Sequence, residues 1–455
     1  MRLASPWVPR LAEVDGPLHE RLAVALAEDV AEGRVEVGAR LPAHRDLAWR
    51  LGLGIGTVTR AYGVLERRGL VASERGRGMF VAGGETAPRA RVDLSVNAPP
   101  QVFADRLVAT TFAALARDLT ADAFARYRPP IGDLEHRRTL ARWLTDHRFA
   151  APVERLMLTN GAQHALAIAF AVAAREGRRL VTEAVTYPGA LTLARHAGMT
   201  PLAVALDAEG MRPEALDAML TRLTRSGEKA AIYLTPTLHN PTTATMGEGR
   251  RRTVVAIACR HDALIVEDDV YSLFTPPDLP TLAELAPERT FYVNGLSKTL
   301  NPGLRLGLLV APLRLVEAAA SGLAATSSMA SPIAAVVMER WLLDGTAASI
   351  GASIRLEAAA RSALARRLLP QAIVPPVEPG FHVWLPMPLV AAERLARRSE
   401  RAGVGVTPPS AVMVDPDGDP SGLRLCLGAP SRCDLERALT TLAALAAGEG
   451  ECGGV

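Results

Sequence analysis

Two different apolar patterns divide this sequence. In the first part, apolar residues recur every three or four positions, which is the period of an amphipathic helix. The longest such stretch runs from Pro17 to Gly33, and its stripe is formed by Leu18, Leu22, Leu26 and Val30. We predict a helix there that ends at Gly33, because glycine commonly terminates helices. A second, shorter helix is predicted from Ala43 to Arg50.

A third helix and a hairpin follow. The turn Leu51-Gly52-Leu53-Gly54 precedes the third helix, which is predicted to run to about Arg68. Leu70–Ser73 and Met79–Ala82 are predicted strands, and the glycines between them suit a tight turn. These elements predict a first domain over residues 1–82. The polar residues 83–92, which include GGETAPRAR, are predicted to be a short linker.

From residue 93 to about 450, apolar strands alternate with helical stretches. Continuous apolar strands connected by helices predict an α/β domain with a mainly parallel sheet covered on both faces. Its predicted strands are Leu156–Thr159, Leu180–Glu183, Ala231–Thr235, Ala263–Glu267, Thr290–Gly295 and Arg305–Val310. From about 353 to 450 the pattern predicts a small α+β subdomain, with strands at Phe381–Leu385 and Leu423–Leu427.

Length and composition agree with two domains. A chain of 455 residues is too long for one ordinary core, and 49% hydrophobic residues are enough for two. No apolar run approaches the roughly 20 residues of a membrane span, and the N-terminus lacks the apolar stretch of a signal peptide. We therefore expect a cytoplasmic protein. The four cysteines form no C-x-x-C pair and no zinc spacing, so we expect reduced thiols and no metal.

Basic residues concentrate in the first domain. The whole chain has a net charge of only +3, but residues 38–81 hold eight arginines against three acidic residues. This excess can attract a phosphate backbone, although a solvated basic face has the same composition. The third helix would turn Val58, Ala61, Tyr62 and Leu65 inward, which leaves its other face for DNA. The expected DNA contacts are Arg45, Thr57, Thr59, Arg60, Arg75 and Arg77.

Four segments of this domain resemble the winged helix of GntR-type regulators. They are GARLPAHRDLA (38–48), GTVTRAY (56–62), LERRGL (65–70) and GRGMFV (76–81). Ala43 and Met79 depart from the family pattern, which usually has Ser at the first position and often Thr at the second. A hydroxyl that positions the DNA backbone is therefore missing. The resemblance implies double-stranded DNA as the partner, and the alternative is a winged helix that binds protein.

Lysine is almost absent from the chain. Of the 51 basic residues, only Lys229 and Lys298 are lysine. Arginine stays protonated and cannot form a Schiff base, so a retained lysine is a candidate for chemistry that arginine cannot perform. Lys229 lies in a predicted loop. Lys298 lies in the run SKTLNPGLRLG (297–307), which combines one amine with a phosphate-binding guanidinium, Arg305.

Other candidate ligands follow predicted strands. Gly161-Ala162-Gln163 opens a helix whose N-terminus suits a phosphate, and Tyr187 could stack on a flat ring, although a turn tyrosine more often packs. Asp268 ends a strand where parallel sheets open their ligand crevice. Asn240 and Tyr271 could donate to an oxygen nearby. The acidic run 267–269 could instead be a metal site, but no partner cluster supports that.

In this order and spacing the set resembles fold-type I aminotransferases, over about 350 residues, with pyridoxal 5'-phosphate as cofactor. The resemblance implies a Schiff base at Lys298 and an Asp268 contact to the pyridine nitrogen. It places Asn240 and Tyr271 at the phenolic oxygen and stacks Tyr187 on the ring. Its phosphate ligands would be Gly161, Ala162, Gln163, Ser297, Arg305 and, from the neighbouring subunit, Tyr127. Arg424 would grip a substrate carboxylate; the alternative is a surface ion pair.

The combination resembles the MocR family of bacterial regulators, and it implies a head-to-tail homodimer. In that family the large domain usually senses an amino compound or the cofactor. We therefore expect a DNA-binding transcriptional regulator that is nucleoid-associated when bound; the alternative is a working aminotransferase with an accessory DNA-binding domain. Three departures from the aminotransferase pattern are Thr243 for Gly, Gly295 for Ser, and His136-Arg137 for Leu-Arg. They leave catalytic competence open.

Overall fold

The structure is a computed structural model of the whole chain. It describes residues 7–13, 16–32, 34–36, 38–67, 70–74, 78–81, 91–102, 105–118, 125–276, 278–373, 379–416 and 418–447. The chain divides into two compact units, Met1–Arg91 and Val92–Val455. Residues 82–90, which make up most of the predicted linker, lie outside the described residues.

The described residues of the N-terminal unit form three helices and a hairpin. The elements are α1 (Leu18–Ala31), α2 (His44–Leu51), α3 (Ile55–Arg67), β1 (Val71–Glu74) and β2 (Gly78–Val81). The strands pair antiparallel, from Val71 opposite Val81 to Glu74 opposite Gly78. The four predicted inward residues of α3 are all buried: Val58, Ala61, Tyr62 and Leu65.

Two details of this unit differ from the sequence pattern. Leu18 begins the predicted stripe but is 44% exposed, whereas Leu22 and Leu26 lie in the core and Val30 packs against it. Helix α1 ends at Ala31, and Gly33 lies outside the described residues.

Ala43 is the N-cap of α2 and makes no side-chain cap hydrogen bond. Met79 packs in the core of the unit.

The C-terminal unit is built on a seven-stranded sheet with the strand order β4-β12-β11-β10-β9-β5-β6. The strands are β4 (Leu156–Thr159), β5 (Arg179–Glu183), β6 (Thr200–Val204), β9 (Ala230–Leu234), β10 (Leu264–Asp268), β11 (Thr290–Gly295) and β12 (Gly307–Val310). Only β12 runs antiparallel to its neighbours, so the predicted mainly parallel α/β sheet is confirmed. The sequence pattern missed the edge strand β6.

Helices cover both faces of this sheet. They are α4 (Asp105–Asp118), α5 (Leu134–His147), α6 (Ala162–Ala173), α7 (Pro188–His196), α8 (Pro213–Arg225), α9 (Glu248–Arg260), α10 (Leu282–Leu285), α11 (Val316–Ser327) and α12 (Pro332–Leu343). Successive strand residues enter opposite cores. Phe291 and Val293 pack with α6, whereas Tyr292 packs on the other face. The outlying short strands β7 (Leu206–Asp207) and β8 (Gly210–Met211) form a separate hairpin.

A smaller core lies next to the large one within this unit. It contains α13 (Thr346–Leu368), β13 (His382–Pro386), α14 (Leu389–Arg401), β14 (Val404–Gly405), α15 (Pro409–Val412), β15 (Gly422–Cys426) and α16 (Arg432–Ala447). The short strand β3 (Val92–Asp93) pairs parallel with β14. The predicted boundary at about residue 353 falls inside α13, because this helix packs in the large core at Ile350 and Ile354 and in the small core at Ala365.

The sheet's register places the loops that carry the candidate residues at one edge. Parallel strands β9, β10 and β11 end at Leu234, Asp268 and Gly295, and the chain leaves each toward Asn240, Tyr271 and Lys298. The predicted strand at 305–310 begins instead at Gly307, because Arg305 adopts a left-handed conformation with φ of 51°.

Within the described residues, no single helix is long and apolar enough to span a membrane. The segments Leu313–Ser327 and Pro332–Leu343 reach that length and composition only as a pair, and the pair is bent by 117°.

Candidate functional site

The carboxyl ends of the central strands surround a cavity of about 440 Å³. Strand ends of a parallel sheet are the usual place for a ligand. The cavity brings together ten of the predicted residues: Ala162, Gln163, Tyr187, Asn240, Asp268, Tyr271, Ser297, Lys298, Arg305 and Arg424. These residues are separated by as much as 262 positions in the sequence, so the fold assembles the predicted set at one place.

Lys298 is half-buried in the wall of this cavity. Burial lowers the pKa of its amine to about 8, and the nearby guanidinium groups of Arg424 and Arg305 act in the same direction. A lower pKa leaves more of the amine neutral, which is the form that attacks a carbonyl. Its Nζ donates to the backbone oxygen of Asn97. The chain's other lysine, Lys229, lies on the surface near Asp262.

Asp268 is 3% exposed, and only one of its two carboxylate oxygens accepts a hydrogen bond among the described residues. Oδ2 accepts a hydrogen bond of 2.8 Å from the Tyr233 hydroxyl, whereas Oδ1 has no partner within the described part of the chain. Burial raises the pKa of this carboxyl to about 6, and the Tyr233 bond partly opposes that rise. A buried unpartnered carboxylate oxygen is costly, and a ring N–H in the cavity would satisfy it.

Small residues and one arginine form the opposite end of the cavity. Gly161 has φ of 85°, and a Cβ there would lie 2.5 Å from Nη2 of Arg305. A Cβ on Gly307 would lie 2.6 Å from the backbone nitrogen of Ala162. Arg305 donates to the Ser297 hydroxyl over 3.2 Å. Glycine at both positions therefore lets these groups approach each other closely. The Arg305 guanidinium lies beside the N-terminus of α6, where a phosphate binds well.

Tyr187 and Gln163 are held together at the cavity wall. The Tyr187 hydroxyl donates to Oε1 of Gln163 over 3.0 Å. The tyrosine ring lies against Gly189, where a Cβ would be 2.4 Å from the ring atom Cζ. The arrangement fixes the ring orientation, and it occupies the oxygen of the Gln163 side-chain amide.

Arg424 is buried, so the alternative of a surface ion pair was wrong. Only 6% of the residue is exposed. Its Nη1 donates to Oδ1 of Asn240, and its Nη2 donates to the Thr407 hydroxyl and the Ser95 backbone oxygen, each over 2.8 Å. Its Nε has no partner among the described residues. An arginine held by neutral groups keeps its positive charge available to an anion in the cavity.

Sequence reasoning missed Asn97, which lines the cavity, and Tyr233, which holds Asp268 from within the sheet. Tyr233 lies within an apolar strand and has the pattern of a core residue, so no sequence signal separates it from packing. Asn97 follows the short strand β3, and its Nδ2 donates to the Tyr271 hydroxyl over 2.7 Å. Because the tyrosine oxygen accepts that bond, its own hydrogen remains available to a ligand.

The acidic run 267–269 does not form a metal site. Glu267 accepts hydrogen bonds from the backbone nitrogens of Leu282 and Ala283, and Asp269 pairs with Arg148 over 2.7 Å. Only Asp268 faces the cavity. In the ranges that the structure describes, no group of three or more His, Cys, Asp or Glu side chains could hold a metal ion.

A larger cavity of about 650 Å³ lies on the other side of the Lys298 loop, lined by residues such as Trp143, Leu300 and Arg355. It contains neither a lysine nor Asp268, so the smaller cavity is the one with the chemistry of a cofactor site.

Tyr127 is the predicted site residue that lies apart from the cavity. It is 85% exposed. Of the predicted DNA contacts, Arg45, Thr59 and Arg60 are exposed and Thr57 is partly exposed. The Thr59 hydroxyl and the Arg60 Nε both bond back to α3 carbonyls, at Ile55 and Gly56. Arg75 and Arg77 lie outside the described residues.

Comparison with known proteins assigns both units. Residues 18–81 match the gntR family of bacterial regulatory proteins, and residues 90–442 match aminotransferase class I and II. The chain is 30% identical over 349 residues to the HTH-type transcriptional regulator TauR of Rhodobacter capsulatus, covering 67% of this chain and 69% of TauR. The chain belongs to the MocR-type regulators.

Two further proteins show how far this likeness extends. The uncharacterized HTH-type transcriptional regulator YdeF of Bacillus subtilis is 26% identical over 447 residues, which are 96% of each chain. The kynurenine aminotransferase of Pyrococcus horikoshii is 24% identical and superposes with a TM-score of 0.72, covering 80% of this MocR-type regulator and 92% of the enzyme. The latter shows the shared fold-type I architecture.

Pyridoxal 5'-phosphate is the cofactor of this MocR-type regulator, as of the aminotransferase family to which residues 90–442 belong. The residues present fit it. The unpartnered Oδ1 of Asp268 suits a pyridinium N–H, and the glycine-lined end beside Arg305 suits a phosphate. At the departure Thr243 the backbone has φ of 66°, in the left-handed region that favours glycine. Such a conformation is strained for a β-branched residue.

Proposed function

We propose that this regulator binds an operator through its winged helix and changes that binding when an amino compound reaches the cofactor. The observation that supports this most directly is the cavity, in which one amine, one buried carboxylate and one buried arginine converge. The same chain carries a GntR-family domain with exposed basic residues on its second and third helices.

We assign the cofactor contacts from the geometry above. Lys298 would form the Schiff base, Asp268 would pair with the pyridine nitrogen, and Tyr187 would lie against the ring. Asn240 and Tyr271 would hold the phenolic oxygen. The phosphate would be held by Gly161, Ala162, Gln163, Ser297 and Arg305. When bound, pyridoxal phosphate supplies a carbonyl-derived electrophile for amines, and the protein supplies orientation and charge.

The effector would be an amine that also carries a carboxylate or a similar anion. Its amino group would take the place of the Lys298 amine, and its anionic group would contact Arg424. Arg424 is suited to this because its three hydrogen bonds are to neutral acceptors. A coupling of about 1–3 kcal/mol between this cavity and the winged helix would be ordinary for allostery.

We further propose a head-to-tail homodimer. Tyr127 is too exposed to serve its own cavity, and the family role that fits it is a contact to the cofactor phosphate of the neighbouring subunit. A regulator that binds operator DNA acts in the bacterial cytoplasm, at the nucleoid. Two winged helices in one dimer would read two half-sites of the operator.

The test is DNA binding by the full-length protein. Fluorescence anisotropy with fragments upstream of its own and neighbouring genes should reveal one fragment bound at least tenfold more tightly than random DNA. Loading with pyridoxal phosphate and then titrating amino acids should shift that affinity for at least one of them. Equal affinity for all fragments at several salt concentrations would refute the proposal.

A working aminotransferase is the second candidate, and the complete cofactor-binding set in the cavity favours it. Incubation with an amino donor and an α-keto acid distinguishes the two. A pure sensor forms at most one keto acid per protein chain, whereas sustained formation of many keto acids per chain would identify an enzyme.

A further inference from the structure

The segment Ser95–Asn97, called here the pocket segment, lies between the cofactor cavity and the start of the C-terminal unit. All three of its residues line the cavity. It follows the two-residue strand β3, whose Val92 is the first residue of the C-terminal unit. In the sequence, the chain therefore passes from the winged helix through residues 82–91 and β3 directly into the cavity wall.

Two of the three cationic side chains that line the cavity, Lys298 and Arg424, donate to the backbone of this segment. Lys298 Nζ donates to the Asn97 oxygen, and Arg424 Nη2 donates to the Ser95 oxygen over 2.8 Å. The Asn97 side chain is also engaged, since its Nδ2 donates to Tyr271. The groups proposed to hold the cofactor and the effector thus also hold the segment.

We propose that the stability of the pocket segment depends on whether the Lys298 amine is free. The segment would thereby link effector binding to the connection with the winged helix. This inference rests on the proposed function. While the lysine nitrogen is joined to the cofactor by a double bond, it cannot serve as the ammonium donor to the Asn97 oxygen. When an effector amine takes over that bond, the lysine leaves as an amine that carries the effector's two hydrogens. No oxidant or further reactant is consumed.

A hydrogen-bond acceptor lies within reach of the released Lys298 amine. The Asn97 oxygen is where the free amine lies in this structure, and a hydrogen bond from a charged donor is stronger than one between neutral groups. Other bonds hold the start of the segment, since the Ser95 oxygen also accepts from Thr407 and the Leu94 oxygen accepts from the Cys426 nitrogen, but among the described residues the Asn97 backbone oxygen accepts from Lys298 alone. Gaining or losing the lysine bond therefore changes what holds the backbone at Asn97.

Hydrogen–deuterium exchange of the full-length, cofactor-loaded protein tests this. The probe is O-methylhydroxylamine, which takes the cofactor's carbonyl carbon from Lys298 without any need for the natural effector. Visible absorption reports that the reaction is complete. Peptides covering residues 92–102 should exchange about tenfold more slowly after the reaction, because the lysine bond to Asn97 re-forms. Peptides from α8, which packs in a different core, should not change.

Two variants of Lys298 distinguish the lysine bond from a general effect of the reagent. Lys298→Ala lacks the donor, so its cofactor-free form should exchange about tenfold faster than cofactor-free wild type over 92–102, and the reagent should have no effect on it. Lys298→Arg keeps a donor but forms no Schiff base, so it should exchange slowly with and without the reagent. The comparison of cofactor-free proteins holds even if a variant binds the cofactor poorly.

Unchanged exchange in wild type after complete reaction would overturn the proposal, as would the same slowing in Lys298→Ala. These results are separable from the proposed function. An amine-dependent shift in operator affinity without a change over residues 92–102 would reject the pocket segment alone, whereas the absence of specific DNA binding would reject the regulator.

Discussion

The Tyr233 hydroxyl donates a 2.8 Å hydrogen bond to Oδ2 of Asp268, and it leaves Oδ1 of the same carboxylate as the atom available to the cavity. Both residues are buried and lie on adjacent parallel strands. The bond does two things. It fixes the carboxylate plane, and it lowers the Asp268 pKa against the opposing effect of burial.

Tyr233→Phe should therefore weaken cofactor binding while keeping the ring packing against Phe170. Without the bond, the Asp268 pKa rises further, and a protonated carboxyl has no negative charge to pair with a pyridinium. We expect a five- to tenfold higher Kd for pyridoxal phosphate, equivalent to about 1 kcal/mol. Tyr292→Phe is the matched control, because Tyr292 donates to Asp269 instead. Equal losses in both variants would show that the Tyr233 effect is only on folding.

Lys298→Ala should abolish covalent attachment of the cofactor. Wild type incubated with pyridoxal phosphate and then reduced with borohydride should gain the mass of one cofactor per chain, and the variant should gain none. Intact-protein mass spectrometry makes the measurement. Lys229→Ala is the control and should behave as wild type, since Lys229 is exposed and distant in the fold. A retained adduct in Lys298→Ala would show that the Schiff base forms at another residue.

The rate of cofactor attachment should rise with pH through about 8. Burial lowers the pKa of the Lys298 amine to about 8. A depressed pKa means that the neutral, nucleophilic amine becomes dominant above pH 8 rather than above about 10.4. Stopped-flow absorption after mixing the cofactor-free protein with pyridoxal phosphate gives the profile. A rate still rising steeply from pH 9 to 10 would contradict the lowered pKa.

Gly295→Ser should restore a common family residue and yet weaken cofactor binding. A Cβ at Gly295 would lie 2.9 Å from Cβ of Ala162, and such overpacking costs about 1–3 kcal/mol. Removing the opposing atom in Gly295→Ser/Ala162→Gly should recover much of that loss. Cofactor affinity and thermal unfolding of the four proteins form a double-mutant cycle. Strict additivity of the two substitutions would mean that this contact is not the cause.

Arg60→Ala should weaken specific DNA binding by about 1–3 kcal/mol if Arg60 contacts a base. Arg60 is exposed on α3, the helix expected in the major groove. The measurement is anisotropy with the operator fragment at fixed salt. Arg252→Ala is charge-matched and lies on α9 of the other unit, so it should leave the affinity unchanged. An unaltered Kd for Arg60→Ala would remove this residue from the interface.

Most of the site was predictable because its residues stand at strand ends with distinctive neighbours. The run around Lys298, the acid at the end of β10 and the Asn-Pro-Thr turn each have a local signature. Tyr233 has none, since a tyrosine in an apolar strand has the pattern of core packing. Asn97 was missed because its role depends on contacts with Lys298 and Tyr271, which lie about 170 to 200 positions away.

Elements whose apolar pattern extends over many residues were predicted from the sequence. Short elements that exist only through pairing with distant parts of the chain were not. The interior strands of the large sheet have continuous apolar runs, and both of their faces are buried. The two-residue strand β3 carries no periodicity, because it exists only through its pairing with Val404 and Gly405. The true start of β12 depends on the left-handed backbone of Arg305, which no hydrophobic pattern encodes.

Helix α13 has a mechanical consequence. It runs without a break from Thr346 to Leu368 and contributes residues to both cores of the C-terminal unit. At 1.5 Å per residue, its 23 residues form a rod about 35 Å long. A change of angle between the two cores would then have to bend the rod or release one of its ends. The unbroken helix therefore opposes a hinge between the two cores, and a substitution that kinks α13 would lower that resistance.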